Sequence, residues 1–405
     1  MITPTEQKYA LTKKQAQQFL LRKHGLLGEP IFHGKEGILA FVKQVSCIQY
    51  DPIDVCGRNA DLVLFSRIQG YTKTMLAELL YQDRALLDYF DKNLAIIPMA
   101  EWPSTYLYRQ RFQQKVRSLD EIQKIVPYIK EEIKQRGPLC SKDLALAHKV
   151  DWYWGATRLS RAALEAMYFQ GDLVIHHKIR TQKYYALAQD VVPSALLAET
   201  KEWENHQEYI NQKMLQRIEA AGFLWNKPSD AFLGVIGIKA PERKTAFATL
   251  ANRGDIIELV IDGISESCWM RSADLPILAE VMQDHPWQPR VEFLAPLDNM
   301  LWDRKLIRAV FGFDYKWEIY TPEKDRKYGY YTLPMISQDG FIGRIEVVQN
   351  RKQQCLQVKN IWLEDNAALQ VAKLEETIQR MANFLDCRHI AYHDAVQSLL
   401  QMKRS

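Results

Sequence analysis

Apolar positions along this chain repeat with two periods, and the change from one to the other marks its elements. From Lys35 to Ser46, the residues Ile38, Phe41, Val42 and Val45 fall on one face of a helix of about three turns. A longer helical stretch follows from Leu119 to Gln135, kinked or restarted at Pro127 and ended by Gly137-Pro138. Next come a short helix around Ser141 to His148, a second from Thr157 to Gln170, and Gly171. After that glycine the period becomes two. Leu173 to His177 and Lys183 to Leu187 predict two strands joined by the polar tip Lys178 to Gln182. Helix, helix and basic-tipped hairpin is the order of a winged helix, which places one helix in a groove and the hairpin on backbone.

The order recurs from Asp230: Phe232-Leu233-Gly234, a helix over Glu242 to Asn252, Gly254, and strands at Ile256 to Ile261 and Cys268 to Arg271. No close sequence repeat links the two copies. Beyond Pro289 the texture turns aromatic and strand-like. Lys316 to Tyr320, Tyr330 to Leu333, Phe341 to Val347 and Leu356 to Leu363 predict an antiparallel sheet. A helix from Asn366 to Leu385 closes it, with another toward Ser405. The class is therefore α+β. The aromatic run from Phe311 to Tyr331 fits sheet core better than a base-stacking platform.

Composition narrows the function classes. With 405 residues the chain exceeds one ordinary core, so several packed units are expected. Hydrophobic residues at 47% and charged residues at 25% exclude a disordered or fibrous protein. The formal net charge of +4 neither demands nor excludes nucleic acid, because binding depends on local surface. Six cysteines without a C-x-x-C pair indicate reduced thiols. The amino terminus has no signal-peptide core, and no stretch is long and apolar enough to span a membrane. A cytoplasmic, monomeric protein is expected. His389 and His393 are four apart, but no glutamate follows the first, so no metal site is expected.

The segment that can carry chemistry is Gln49-Tyr50-Asp51-Pro52. Pro52 keeps Asp51 out of the helical region, so the preceding helix ends near Ser46 and the chain extends. Gln49 and Asp51 then share one face, roughly 7 Å apart at Cα, and together can hold one water. An amide beside a carboxylate suits a hydrolysis whose leaving group needs no protonation, such as loss of a cationic N7-alkylated purine. A polar loop ending a helix is the other reading of the same residues.

The stretches VSCIQYDPIDVCGRNADLVLFSR (45–67), LAPLDNMLWDRKLIRAVFGFDYKWEIYTP (294–322), RKYGYYTLP (326–334) and DGFIGRIEV (339–347) resemble the winged-helix crosslink-repair DNA glycosylases of the YcaQ and AlkZ kind. The resemblance implies three winged-helix units, 1–118, 119–200 and 201–288, and a β-rich unit at 289–405 around a DNA-binding channel. It implies monofunctional removal of N7-alkylguanine, including bases in interstrand crosslinks, from double-stranded DNA. The family's Gln-x-Asp motif falls on Gln49 and Asp51, and the aspartate favours the YcaQ-like branch. No metal or organic cofactor is implied. An open site would suit a base tied to the opposite strand, which cannot rotate into a closed pocket.

One departure stands out. Many members carry a histidine-containing run before a proline, whereas this chain has Asp91-Lys92-Asn93 ahead of Pro98. Lys92 as a Schiff-base nucleophile is the chemical alternative there to a surface or paired lysine. For DNA contacts the hairpin offers His176, His177, Lys178 and Arg180, and the family-like stretches offer Arg58, Arg304, Arg326 and Lys327; Arg109 to Arg117 is a further basic strip. Two rivals remain: a noncatalytic winged-helix DNA binder, such as a regulator or lesion sensor, and a hydrolase of small nucleosides.

Overall fold

The computed structural model describes residues 8–153, 155–199, 203–283, 286–365 and 367–404. Asn366 and Ser405, the outer ends of the two expected closing helices, and the first seven residues lie outside them. The contacts fall into two compact units, residues 1–75 with 205–405, and residues 76–204.

In the larger unit a four-stranded sheet runs in the order Lys8–Leu11, Ile256–Ile261, Cys268–Arg271, Phe223–Trp225. The first strand joins Ile256–Ile261 in parallel, and the others pair antiparallel. Helices Lys13–Lys23, His206–Ala221 and Ala240–Arg253 belong to the same unit. The helix Gly34–Gln44 buries Ile38, Phe41 and Val42, the stripe its spacing predicts.

A five-stranded sheet follows in the order Glu292–Phe293, Thr332–Ser337, Gly340–Asn350, Cys355–Leu363, His389–Tyr392. Its last strand lies parallel to Cys355–Leu363, so the sheet is mixed and His389 is not on a helix with His393. Gly343 is obligatory in this sheet: at φ 151° a Cβ would run into the carbonyl of Trp362 on the neighbouring strand. The helix Val371–Phe384 buries Leu374, Ile378 and Met381, and Asp394–Arg404 is the second closing helix.

Lys316 to Tyr320 does not form the expected strand. The buried Glu318 carboxylate accepts from the backbone N–H groups of Lys327, Tyr328 and Gly329, at 2.9, 2.8 and 3.4 Å. Thr321 N also bonds back to Glu318 O. These bonds fold the segment onto itself and leave it no ladder partner. Its aromatics split between core and surface: Phe313 stacks on Phe341 with centroids 4.2 Å apart, whereas Tyr320 is 81% exposed.

In the smaller unit the helix Leu119–Arg136 passes through Pro127 without a break. Pro127 and Gln123, whose carbonyl loses its helical donor, both face solvent, while Ile122, Ile129 and Ile133 are buried. The short helix around Ser141 to His148 is absent. Asp143 Oδ2 accepts from Cys140 N at 2.8 Å and Asp143 N donates to Cys140 O at 3.0 Å, closing a single turn that does not propagate, since one turn is a costly nucleus by itself. The helix Leu159–Gln170 ends at Gly171 in left-handed geometry. The hairpin Leu173–Ile179 with Gln182–Leu187 follows, and its turn narrows to Arg180-Thr181. A second hairpin joins Leu86–Asp91 to Asn93–Pro98.

Candidate active site

Gln49 ends the short strand Ile48–Gln49. The preceding helix stops at Gln44, and Ser46 turns the chain through φ 61°. Residues 50–54 then lie in neither helix nor strand, in line with the restriction Pro52 places on Asp51. The Gln49 side chain is buried, and Asp51 is half-buried.

Backbone bonds fix this segment from several sides. Asp51 Oδ1 accepts from Ile53 N at 2.9 Å, and Asp54 Oδ1 from Gly57 N at 3.1 Å, two local turns that set the loop after the strand. Gln349 N donates to Val55 O at 3.0 Å, and Arg351 pairs with Asp54 at 2.8 Å, so the sheet strand Gly340–Asn350 and its following turn anchor the loop. Behind the strand, Asn59 Nδ2 donates to Gln49 O at 2.8 Å and Asn299 Nδ2 to Cys47 O at 2.9 Å.

Burial raises the Asp51 carboxyl above the usual carboxylate range, partly offset by the Ile53 N–H. A carboxylate so placed is a better proton acceptor than an exposed one. Tyr331 is also close enough to feel Asp51: burial, then Cys56, Tyr315, Asp51 and Asp54, push its phenol well up and keep it protonated. The arrangement offers an amide, a raised carboxylate and a neutral phenol in one neighbourhood of one unit. No group of His, Cys, Asp and Glu among the described residues could hold a metal ion.

The basic residues named from sequence fare differently. Arg58 is the residue before the helix Asn59–Phe65, seven residues past Asp51, and its side chain makes no capping bond to that helix. Arg304 lies over the Tyr315 ring, Arg326 over Tyr330 and Lys327 over Tyr328, at 5.6, 5.0 and 5.0 Å. In the smaller unit, Arg180 is exposed at the hairpin turn. Lys178 points elsewhere: its Nζ is 2.6 Å from Asp88 Oδ1, with both side chains under a tenth exposed. His176 and His177 are partly buried, their rings 2.9 Å apart at Nδ1, and burial first and Arg84 second lower the pKa of each. Both are therefore neutral near pH 7. Arg109 is held over Trp102 at 4.5 Å, and Arg117 donates to Trp152 O at 3.0 Å, so the strip is not uniformly solvated. Lys92 is buried at the hairpin turn beside Asn93 at φ 58°, not on the surface.

Sequence reasoning missed Asn59 and Asn299. Both lie inside the motif-bearing stretches, but no local pattern pairs a residue with a carbonyl 252 positions away. The chain resembles in fold Streptomyces sahachiroi DNA glycosylase AlkZ, with a TM-score of 0.60 and 14% identity over 95% of this chain and all of that one. The family described as DNA glycosylase AlkZ-like matches residues 42–384, a span that contains Gln49, Asp51 and every element that anchors them. This chain belongs to the AlkZ-like DNA glycosylase family.

Proposed function

We propose that the protein is a monofunctional DNA glycosylase that hydrolyses the N-glycosidic bond of N7-alkylguanine in double-stranded DNA, interstrand crosslinks included. The observation that carries this reading is the Gln-x-Asp segment, with its carboxyl raised by burial, inside the matched family span. Alkylation at N7 makes the base a cation. When the bond between C1′ and the base breaks, the electron pair leaves with the base, which becomes neutral without a general acid. Asp51 stabilises the developing oxocarbenium ion and takes a proton from the attacking water, and Gln49 orients that water; its oxygen then bonds to C1′, leaving an abasic site.

Three winged-helix units and a β-rich part around a channel are part of the same proposal. The helices and hairpin of 119–187 and the helices and sheet of 206–271 follow the element order such units require. Phosphate contacts are proposed at Arg180 and the neighbouring hairpin histidines, and at Arg58, Arg304, Arg326 and Lys327. Lys178 is proposed to brace the hairpin through Asp88.

The test is a glycosylase assay on duplexes carrying N7-methylguanine or a nitrogen-mustard crosslink. Wild type should yield alkali-labile abasic sites, and Asp51→Asn and Gln49→Ala should lose that activity while still binding DNA. No base release by wild type, or full activity in Asp51→Asn, would overturn the mechanism. Tight binding without cleavage would favour a noncatalytic binder, and turnover of free nucleoside a small-molecule hydrolase.

A further inference from the structure

We propose that Asn59 and Asn299 are positioning residues for hydrolysis, holding the short strand that ends at Gln49, two residues before Asp51, at the depth and angle the attacking water requires. This rests on the reading of Gln49 and Asp51 as the hydrolytic pair. The carbonyls of Cys47 and Gln49, two residues apart, point to one side of an extended chain, where a neighbouring strand would ordinarily supply N–H donors. Two buried side-chain amides supply them instead.

The amide orientations follow from their partners. Asn59 Oδ1 accepts from Leu297 N at 2.9 Å, and a backbone N–H can only donate, so Nδ2 faces Gln49 O. Asn299 Nδ2 likewise must face the Cys47 carbonyl. The two asparagines are tied to each other by a rigid frame. Asn59 begins the helix Asn59–Phe65, and Arg67 just beyond it makes two bonds, of 2.8 and 2.7 Å, to Asp298, the residue before Asn299. Arg67 and Asp298 side chains are both fully buried.

Two features argue for a purpose beyond packing. Asn299 Oδ1 is buried with no partner among the described residues, a cost that an apolar side chain of similar shape would avoid. The donors are also neutral. A lysine or arginine in their place would supply the same bonds but would lower the pKa of Asp51 and weaken it as a base.

The experiment measures single-turnover base release at saturating enzyme, together with the Kd for an uncleaved duplex, for full-length wild type, Asn59→Ala and Asn299→Ala. Asn59→Ser and Asn299→Ser accompany them, retaining a short donor in case the alanine variants do not fold. Thr377→Val removes another buried hydrogen bond of the same unit, from Thr377 Oγ1 to Val291 O at 2.6 Å, and reports what destabilisation alone does to the rate. The expected result is a rate reduced about 10- to 100-fold in the alanine variants, the scale of an ångström's misplacement. The Kd should stay within about threefold, the serine variants should recover part of the rate, and Thr377→Val should keep it. Folded asparagine variants with full rate, or losses that follow melting temperature as in Thr377→Val, would overturn the positioning role while leaving an Asp51-dependent wild type intact. A wild type that releases no base would remove the parent reading, and this one with it.

Discussion

Asp51 is raised by burial, so the folded protein binds its proton more readily than the unfolded chain does. Stability from this group is therefore lost as pH rises through the window above the ordinary carboxylate value, and the ionised form carries a local cost. Asp51→Asn should leave the melting temperature at pH 7 unchanged or higher, while base release falls about 10²- to 10⁴-fold. A parallel fall in melting temperature would point to a structural role for the carboxylate. His24 shows the opposite sign. It is fully buried, its Nε2 lies 3.3 Å from Ala221 O, and burial first, then Arg67, holds its pKa near 3 against 6.5. The unfolded chain takes up a proton below 6.5 that the folded one refuses, so stability present above 6.5 is lost as pH falls toward 3. His24→Gln keeps a donor and removes the titration. Urea midpoints of that variant should vary less between pH 6.5 and 4 than those of wild type.

At the scale of elements, the Arg67–Asp298 pair joins the end of one helix to the turn bearing Asn299, with both partners shielded from water. Removing one partner strands the other charge in the interior. Arg67→Ala and Asp298→Ala should each cost about 3–5 kcal/mol in chemical unfolding, and replacing both with apolar residues should recover part of it. Lys178 and Asp88 form a comparable pair in the smaller unit, where Asp88 also accepts from Tyr81. The hairpin is thereby braced at its stem, leaving Arg180 as the charged residue of its turn.

For the whole molecule, a DNA-binding role has to arise from arrangement and not from total charge. Residues 76–204 hold 18 Lys and Arg against 17 Asp and Glu, so the excess of +4 is not gathered into the smaller unit. Burial of Lys92, Lys178 and Arg67 takes further cations out of contact with phosphate. Duplex affinity should nonetheless fall steeply with salt, with a log–log slope of about −0.9 per phosphate neutralised. Arg180→Ala should reduce the slope's magnitude by about 1 without changing sequence preference. A flat salt dependence would count against duplex DNA as the partner.

What the sequence by itself determined was whatever depends on near neighbours. The buried stripe of Gly34–Gln44, the hairpin after Gly171, and the strands Gly340–Asn350 and Cys355–Leu363 follow from side-chain period and turn residues, which act over a few positions. The end of the helix before Ser46 was legible too, because Pro52 disfavours helix just ahead of it through local sterics. Tertiary structure decided whatever depends on a distant partner. Glu318 draws three backbone donors and prevents a strand that its own residues favour. His389–Tyr392 becomes a strand because Cys355–Leu363 offers it an edge, and Lys8–Leu11 pairs with residues some 250 positions later. Lys178 is drawn to Asp88, 90 residues away. The setting of the candidate site belongs to this second group. Asn59 and Asn299 bond the carbonyls of Gln49 and Cys47 from a helix and a turn that a buried ion pair joins, and hydrogen bonds across such separations leave no trace in local periodicity.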